Sequence, residues 1–408
     1  MGATTEIKAG YKKTKLGWIP EDWEFKLLDE VSKRGSGHTP DKKKDEYYNG
    51  GIKWISLADS SKLDKGLISE TKNDISELGI KNSSAVIHKK NTVLLSRDAG
   101  VGKSAVMYED MAVSQHFIAW YTNESLCHYW FLYYLLQKNK REFERVAVGS
   151  TIKTIGLGYF KKLKIPLPPL PEQKKIADIL STWDKAIETT QALIQKLQLR
   201  KKGLMQQLLT GKKRLPGFEG EWEFVTLNSM ITTKSKKINP KEYESLRCIE
   251  LEHIEQETGR INGFINSLNQ KSIKNQFEEG QVLFGKLRPY LRKFWRAEFS
   301  GVCSTEIWVL SILEDKLNQP FLFYFVQGHF FNSLANATSG SKMPRSDWNY
   351  MRDFETKIPL ESEQTAIAQV LTKADEEISQ SQNYLEQLQE QKKGLMQQLL
   401  TGQRRVAV

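Results

Sequence analysis

The segment from Lys286 to Arg296, KLRPYLRKFWR, carries side chains that could bind a polyanion. Its eleven residues include five cations and three aromatic rings. Arginine and lysine can clamp phosphates or donate to guanine edges, and Pro289 restricts the backbone between them. The pattern therefore favours contacts with nucleic acid. A solvated strand edge that discourages aggregation is the alternative explanation of the same charges.

Two further loops combine small hydroxyl residues with a cation. Ser339 to Arg345 reads SGSKMPR, and a similar loop earlier in the chain, Gly149 to Lys153, reads GSTIK. Backbone amides in such loops suit phosphate oxygens, although ordinary turn chemistry explains these loops nearly as well. Comparable places in the first half of the chain are held by Arg97, Lys103, Gln115 and His116.

Patterns that would make the chain a catalyst are incomplete. Asp98 to Ser104, DAGVGKS, resembles the end of a phosphate-binding loop, but Arg97 stands where that loop needs its first glycine. A nuclease-like spacing, Asp41 followed by Glu70 and Lys72, could hold a divalent metal, yet it arises readily by chance in so charged a chain. No GxGxxG or HExxH motif and no adenine methyltransferase tetrapeptide occurs. The absence of complete motifs favours a binding protein.

The composition agrees with a soluble globular protein of two to four domains. The 408 residues contain 60 Lys and Arg against 49 Asp and Glu, a formal net charge of +11. This surplus favours a polyanionic partner, although simple solubility explains it equally well. The three cysteines are scattered without CxxC spacing, which excludes a disulfide framework or a cysteine zinc site. Because no apolar run could span a bilayer and the start lacks a signal peptide, we expect a cytoplasmic protein.

An internal repeat organises the chain. Lys201 to Gly211 and Lys392 to Gly402 both read KKGLMQQLLTG, and Glu172-Gln173 recurs as Glu363-Gln364 at the same offset. Fainter similarity precedes these blocks, and each half opens alike, with Trp-Glu-Phe at Trp23 and at Trp222. The chain is therefore a duplicated unit, a variable domain followed by a repeated tail.

Both tails have the periodicity of long helices. No proline interrupts Glu172 to Leu209, while prolines precede each tail and Gly211 and Gly402 suit C-terminal caps. Apolar residues recur at alternating spacings of four and three, which indicates heptad seams. The predicted coiled-coil interface consists of Ile176, Leu180, Trp183, Ile187, Ile194, Leu197, Leu204 and Leu208 in the first tail, and Ile367, Leu371, Ile378, Leu385, Leu388, Leu395 and Leu399 in the second.

The apolar seam of a long helix must be buried against a partner helix, and the second tail of the same chain is the simplest candidate. A whole domain lies between the tails, so the chain has room to return and form an antiparallel pair. A symmetric pair would place Lys392 opposite Trp183 and Lys201 opposite Ala374. A dimerisation zipper between two chains is the alternative.

The variable domains mix short strands with helices. Strands are predicted at VLLSR, AVMY and FIAW in the first domain and at CIEL, VLFGK and EIWVL in the second. Aromatic segments at 129–146 and 321–336 are predicted as helices. Each variable domain is therefore expected to be α+β.

Taken together, these sequences resemble the specificity subunits of type I restriction-modification systems. The resemblance rests on IPLPPLPEQKKIADIL and IPLESEQTAIAQVL, on the twin KKGLMQQLLTG blocks, on LPGFEGEWE, and on FGKLRPYLRKFWRA with SGSKMPRSDW. It covers essentially the whole chain from about Gly17. The resemblance implies two similar α+β target-recognition domains separated by an antiparallel two-helix coiled coil formed by the two conserved regions.

The implied function is recognition of a bipartite DNA target and scaffolding of modification and restriction subunits. Two modification subunits would methylate adenine with S-adenosylmethionine, and restriction subunits would use ATP and magnesium to translocate and cut DNA. This chain itself would need no cofactor or metal and would not be catalytic. The alternative is a single-chain DNA methyltransferase or nuclease with unfamiliar motifs, and a third possibility is a purely structural coiled-coil scaffold.

The resemblance also sets the expected boundaries. They are a leader at 1–16, recognition domains at 17–165 and 215–357, and conserved helical regions at 166–214 and 358–408. The predicted DNA-binding residues are Arg97, Lys103, Lys153, Lys286, Arg288, Arg292, Lys293, Lys342 and Arg345.

Overall fold

A computed structural model describes residues 9–14, 17–240, 245–313, 316–337 and 342–407. The predicted leader at 1–16 lies partly, and the loop residues Ser339 to Ser341 wholly, outside these ranges. The described chain forms two compact units. The first contains the residues up to Thr190 and those from Tyr384 onward, and the second contains Gln191–Asn383. No helix among the described residues combines the length and apolar character that crossing a membrane requires.

The first half of the chain alternates short strands with helices before one long helix. Its strands are β1 (Tyr11–Thr14), β2 (Gly17–Pro20), β3 (Glu24–Leu27), β4 (Ser32–Ser36), β5 (Tyr48–Ile55), β6 (Leu67–Ile68), β7 (Asn73–Ile75), β8 (Ile87–His88), β9 (Val93–Ser96), β10 (Ser104–Met107), β11 (Met111–Val113), β12 (Phe117–Thr122) and β13 (Lys164–Leu167). Its helices are α1 (Leu28–Val31), α2 (Glu77–Lys81), α3 (Tyr129–Lys138), α4 (Lys140–Val146), α5 (Leu157–Lys161) and α6 (Leu170–Leu208).

The second half follows the same plan. Its strands are β14 (Glu223–Thr226), β15 (Ile231–Thr232), β16 (Lys237–Ile238), β17 (Arg247–Ile249), β18 (Ile265–Asn266), β19 (Lys274–Phe277), β20 (Val282–Gly285), β21 (Phe294–Arg296), β22 (Gly301–Ser304), β23 (Ile307–Ile312) and β24 (Glu355–Ile358). Its helices are α7 (Leu227–Met230), α8 (Gln319–Phe325), α9 (His329–Ala335), α10 (Trp348–Met351) and α11 (Glu361–Leu399).

Each unit contains two main sheets. In the first unit their strand orders are β4-β12-β9-β10-β6 and β7-β5-β11-β8, and in the second they are β15-β23-β20-β21 and β16-β19-β22-β17-β18. The parallel pair β5–β11 recurs as β17–β22. Antiparallel pairing of β3 with β13, and of β14 with β24, joins the start of each domain to the chain just before a long helix. The predicted α+β class and its duplication are confirmed.

The predicted strands all occur, but each predicted aromatic helix is split in two. The segment at 129–146 divides into α3 and α4 at Asn139, and the later segment divides into α8 and α9 before Gly328. Gly328 has the extended backbone of an N-cap, with φ −66° and ψ 161°. Both helix pairs lie beside their sheets and bury aromatic side chains, among them Phe131 and Phe331, which are fully buried.

The two long helices pair antiparallel within each unit, as predicted. In the first unit, Ile176 and Leu180 near the start of α6 share a core with Leu399 and Leu400 at the end of α11. In the second unit the relation is reversed, because Leu208 at the end of α6 shares a core with Ile367 and Leu371 near the start of α11. Burial of these apolar residues stabilises both helices beyond their own propensity.

The glycines of the repeated tails make separate contributions to stability. Gly402, three residues after the end of α11, has a left-handed backbone conformation (φ 70°), and a Cβ there would lie 2.3 Å from Pro20 Cδ. Gly394 lies inside α11, and an added Cβ would meet nothing within 4 Å. We therefore expect Gly402→Ala to lower the free energy of unfolding by about 2 kcal/mol. Gly394→Ala, the matched control, should raise it by about 0.5–1 kcal/mol. Urea denaturation measures both, and equal effects would contradict the assigned roles.

Candidate nucleic-acid interface

In the second unit, the loop after β20 lies against the segment that precedes α10. Leu287 and Arg345 form an isolated antiparallel bridge. Arg288 N donates to Pro344 O at 2.7 Å, and Ser346 N donates to Lys286 O at 2.9 Å. The structure thus brings the predicted residues Lys286, Arg288 and Arg345 together from two distant segments.

The backbone of this loop is tightly constrained. Arg288 and Arg292 both have left-handed backbone conformations, with φ 52° and 49°, on either side of a 3₁₀ turn that begins at buried Pro289. Non-glycine residues in this region cost about 1 kcal/mol or more each, so the surrounding contacts must hold them there. The turn leaves Arg288 and Tyr290 exposed.

The predicted cations of the second unit divide into two groups. The side chains of Lys286, Arg288 and Lys342 make no hydrogen bond or ion pair with another residue that the structure describes. In contrast, Arg292 Nη2 donates to Gln327 O at 2.9 Å, and Lys293 Nζ donates to Leu251 O at 2.5 Å. Burial lowers the pKa of Lys293. The first group is therefore available for a ligand, while Arg292 and Lys293 already stabilise the loop.

Arg345 is also held within the protein. Its Nε and Nη2 donate to the two carboxylate oxygens of Glu306 at 2.9 and 3.2 Å. These hydrogen bonds raise the pKa of Arg345. Because the guanidinium remains about half exposed, it presents its outer edge while Glu306 fixes its orientation.

The first unit repeats this arrangement with different side chains. Asp98 and Thr154 form the isolated bridge, Arg97 N donates to His116 O at 3.0 Å, and Ile155 N donates to Arg97 O at 2.8 Å. In the second unit Lys286 N donates to Glu306 O at 3.0 Å. By these hydrogen bonds Arg97 corresponds to Lys286 and His116 to Glu306, and by the bridges Thr154 corresponds to Arg345. The geometry of the loop pair is thus duplicated although its chemistry is not.

The cations of the first unit differ in how far they are engaged. Arg97 Nε donates to Ile155 O at 3.3 Å, and Lys103 Nζ donates to Ser60 O and Oγ at 3.1 and 3.2 Å. Lys153 is exposed, and its side chain makes no hydrogen bond or ion pair with another described residue. In this unit, therefore, Lys153 is the predicted cation with a free ammonium group within the described part of the chain.

The segment DAGVGKS and Asp41 of the nuclease-like pattern both lie in turns. The segment DAGVGKS forms the turn of the antiparallel β9–β10 hairpin and not a strand-to-helix loop. Within this turn, Gly100 and Gly102, on either side of Val101, both have positive φ angles. Asp41 Oδ1 accepts the backbone N–H of Lys43 in a local turn. Within the described ranges, no group of three or more His, Cys, Asp or Glu residues could hold a metal ion.

A buried carboxylate anchors each long helix. Glu172 is 1% exposed and accepts hydrogen bonds from Arg405 at 2.7 and 2.9 Å and from Trp23 Nε1 at 3.1 Å. In the second unit, equally buried Glu363 accepts from Arg214 at 2.5 and 2.6 Å and from Trp222 Nε1 at 3.1 Å. Each arginine follows the end of the opposite helix. The sequence repeat contained this signal, since both glutamates and both arginines recur at the repeat's offset.

The glutamine beside each carboxylate ties the helix to its domain. Gln173 bonds the backbone of His128, Leu126 and Pro168. Its duplicate, Gln364, bonds the backbone of Asn318, Lys316 and Pro359. The repeated Glu-Gln pair therefore fixes each variable domain to the start of the long helix that follows it.

The predicted seam residues all lie at buried or half-buried positions. The contacts of the two seam lysines differ from those expected. Lys392 pairs with Asp184 at 2.5 Å and lies over the Tyr134 ring, while Lys201 pairs with Asp375 at 2.7 Å and lies over the Tyr324 ring. The partners are the aspartates next to Trp183 and Ala374, and both rings come from the variable domains.

The chain is similar in sequence to proteins of known families. A family model described as "Type I restriction modification DNA specificity domain" matches residues 20–199 and 219–390. The chain is 24% identical to the type I restriction enzyme MjaVIII specificity subunit of Methanocaldococcus jannaschii, over 95% of this chain and 94% of that protein. It is 27% identical to the EcoDI specificity subunit of Escherichia coli, over 58% of this chain and 60% of that protein.

Solved structures share the fold. The S subunit of a type I restriction-modification system from M. genitalium aligns with a TM-score of 0.57 at 16% identity, covering 92% of this chain and 96% of that one. A chain from a study of complex assembly and conformational transition in the type I system aligns with a TM-score of 0.60 at 16% identity, covering 95% and 99%.

Proposed function

Because the chain belongs to the type I restriction-modification DNA specificity family, we propose that it recognises a two-part DNA sequence and holds modification and restriction subunits together. It is a specificity subunit, the non-catalytic DNA-recognition component of such a system. In the proposal, residues 17–165 and 215–357 are the two target-recognition domains, and 166–214 and 358–408 are the helical regions.

The observation that carries the proposal is the duplicated loop pair. In each unit, a loop after a central strand is bridged to the segment that precedes a short helix, at Asp98–Thr154 and at Leu287–Arg345. Two copies of one scaffold carrying unlike side chains suit the reading of two unlike half-sites. The net charge of +11 favours a phosphate backbone as partner.

The predicted DNA-binding residues take two roles in this proposal. The cations proposed to contact DNA directly are Lys153, Arg288 and Lys342, which are exposed, and Lys286, which is half-buried. The remaining predicted residues, Arg97, Lys103, Arg292, Lys293 and Arg345, shape the loops through their internal hydrogen bonds, and Arg97 and Arg345 also present charge to the ligand.

The chemistry of the complex is assigned to partner subunits. Two modification subunits would methylate adenine with S-adenosylmethionine, and restriction subunits would use ATP and magnesium. The complex would act on double-stranded DNA in the cytoplasm.

Mapping methylated adenines across the host genome, with and without this gene, tests the proposed function. We expect a two-part motif with a fixed gap that disappears when the gene is deleted. A genome with the same methylated motifs after deletion would contradict the proposal. Methylation of DNA by the purified chain with S-adenosylmethionine alone would contradict its non-catalytic role.

Arg288→Ala should weaken binding to the mapped sequence by about 1–3 kcal/mol if the guanidinium reads a base. The exposed side chain has no other described partner, so its loss leaves the fold intact. Titration of the complex against specific and random duplexes measures the effect. The control is Lys271→Ala, which removes an exposed cation of the same unit outside the loop pair. Equal losses of binding free energy on specific and random duplexes would show that Arg288 contacts a phosphate and does not read a base.

A further inference from the structure

The turn between β11 and β12 lies directly beside the loop pair of the first unit. It consists of Ser114, Gln115 and His116, and Phe117 N closes it by donating to Ser114 O at 3.2 Å. His116 O accepts the backbone N–H of Arg97 at 3.0 Å. The turn is thus fixed to the loop that the proposed function places on DNA.

Two polar side chains of this turn are held in position by neighbours. Thr39 Oγ1 donates to Gln115 Oε1 at 2.7 Å, and His116 Nδ1 lies 2.7 Å from Asp98 Oδ1. Because an ionised carboxylate can only accept, Nδ1 carries the proton, and Nε2 remains without an internal partner among the described residues. Gln115 is exposed, and its amide keeps both N–H donors and one acceptor lone pair. The turn therefore presents oriented hydrogen-bonding groups to solvent.

A cavity of about 450 Å³ opens beside the turn, and its lining includes Trp54, Ser56, Ser114 and His116. Ser114 is 1% exposed, and its Oγ has no hydrogen-bond partner in the described structure. A buried hydroxyl without a partner is costly, so a group that enters the cavity would gain that hydrogen bond. This orphaned hydroxyl is a second feature, independent of Gln115 and His116, that points to a ligand at the turn.

We infer that the Ser114–His116 turn is the base-reading element of the first domain and that Gln115 specifies an adenine·thymine pair in its half-site. The inference rests on the proposed function. Adenine presents N7 as an acceptor and N6–H₂ as a donor in the major groove, and a glutamine amide matches both at once. Thr39 is a positioning residue, because it fixes which edge of the Gln115 amide faces outward.

The second domain reads with different chemistry at the same place. Its corresponding turn contains Glu306, whose carboxylate is occupied by Arg345. The outward group there is a guanidinium, which suits guanine O6 and N7. The two domains therefore differ at corresponding turns: the first presents the Gln115 amide from the turn itself, and the second presents the guanidinium of Arg345, which Glu306 of the turn holds from the bridged segment.

The test compares genome methylation in cells that carry the complete system with the wild-type chain, Gln115→Ala or Thr39→Val. With Gln115→Ala we expect one adenine·thymine position of one half-site to become degenerate, because discrimination there falls by about 5- to 150-fold. Thr39→Val should relax the same position less. The other half-site and the gap should not change, and Lys271→Ala should leave the whole motif as in wild type.

An unchanged motif with Gln115→Ala would overturn the inference while leaving the proposed function standing. The absence of any two-part motif with the wild-type chain would instead overturn the proposed function. Since Gln115 is exposed, its replacement should not affect folding, and thermal unfolding of the purified complex checks this. The inference would also be overturned if the folded Gln115→Ala variant lost the same binding affinity for every duplex in a series with single base-pair substitutions.

Discussion

Replacing Arg214 by alanine should lower the free energy of unfolding by about 3 kcal/mol. Glu363 is 1% exposed, and Arg214 supplies two of its three hydrogen bonds. Without Arg214, the carboxylate remains buried with only the Trp222 indole as donor, and an unpaired buried charge typically costs 3–5 kcal/mol. The Arg214 side chain is 26% exposed, so water can partly replace it, which places the loss at the lower end. Urea denaturation of the purified chain measures the loss.

The matched pair in the first unit and a rescue variant make this prediction specific. Arg405 is 43% exposed and shares its guanidinium between Glu172 and Asp22. Water can therefore replace it more easily, and Arg405→Ala should cost less than Arg214→Ala. Adding Glu363→Gln to Arg214→Ala should recover part of the loss, because a neutral amide is less costly to bury. A loss below about 1 kcal/mol, or no recovery with glutamine, would show that the pair contributes little.

The architecture was predictable because its signals are local or repeated. The identical KKGLMQQLLTG blocks define the duplication, and heptad spacing with terminal glycines defines both long helices. The short apolar runs gave the central strands, since each is bounded by turn residues. The helix break at Asn139 was not predicted, although the apolar run YWFLYYLLQ gives way to the charged segment KNKREFERV at that point.

The candidate site was less predictable, because its geometry depends on contacts between distant residues. Composition identified the basic segment, but not that Lys293 would donate to Leu251 O or Arg292 to Gln327 O. Likewise, heptad spacing placed Lys392 near Trp183, whereas the lysine pairs with Asp184, one residue further on. A charged side chain pairs with an opposite charge that lies close to it, and helical periodicity alone does not predict which neighbouring residue carries that charge.

Lengthening both long helices by one heptad should abolish methylation at wild-type sites and create sites with a longer gap. The insertions go after Thr190 and after Asn383, where the chain passes from one compact unit to the other. Both α6 and α11 are unbroken over 39 residues, so seven residues add about 10 Å, the rise of about three base pairs. A heptad keeps the seam nearly in phase, but the DNA grooves rotate with every base pair. We therefore expect a gap longer by about one to three base pairs.

The two half-sites should be unchanged in this variant, because each recognition domain keeps all of its own contacts. Genome methylation mapping measures gap and half-sites in the same experiment. As a control, one heptad in α6 alone should abolish methylation, since α6 and α11 would then differ in length and one unit would lose its paired helix ends. If complexes that contain the doubly extended chain methylate the original sites with the original gap, helix length does not set the spacing. If the half-sites change instead, the helices act on the domains' own reading surfaces.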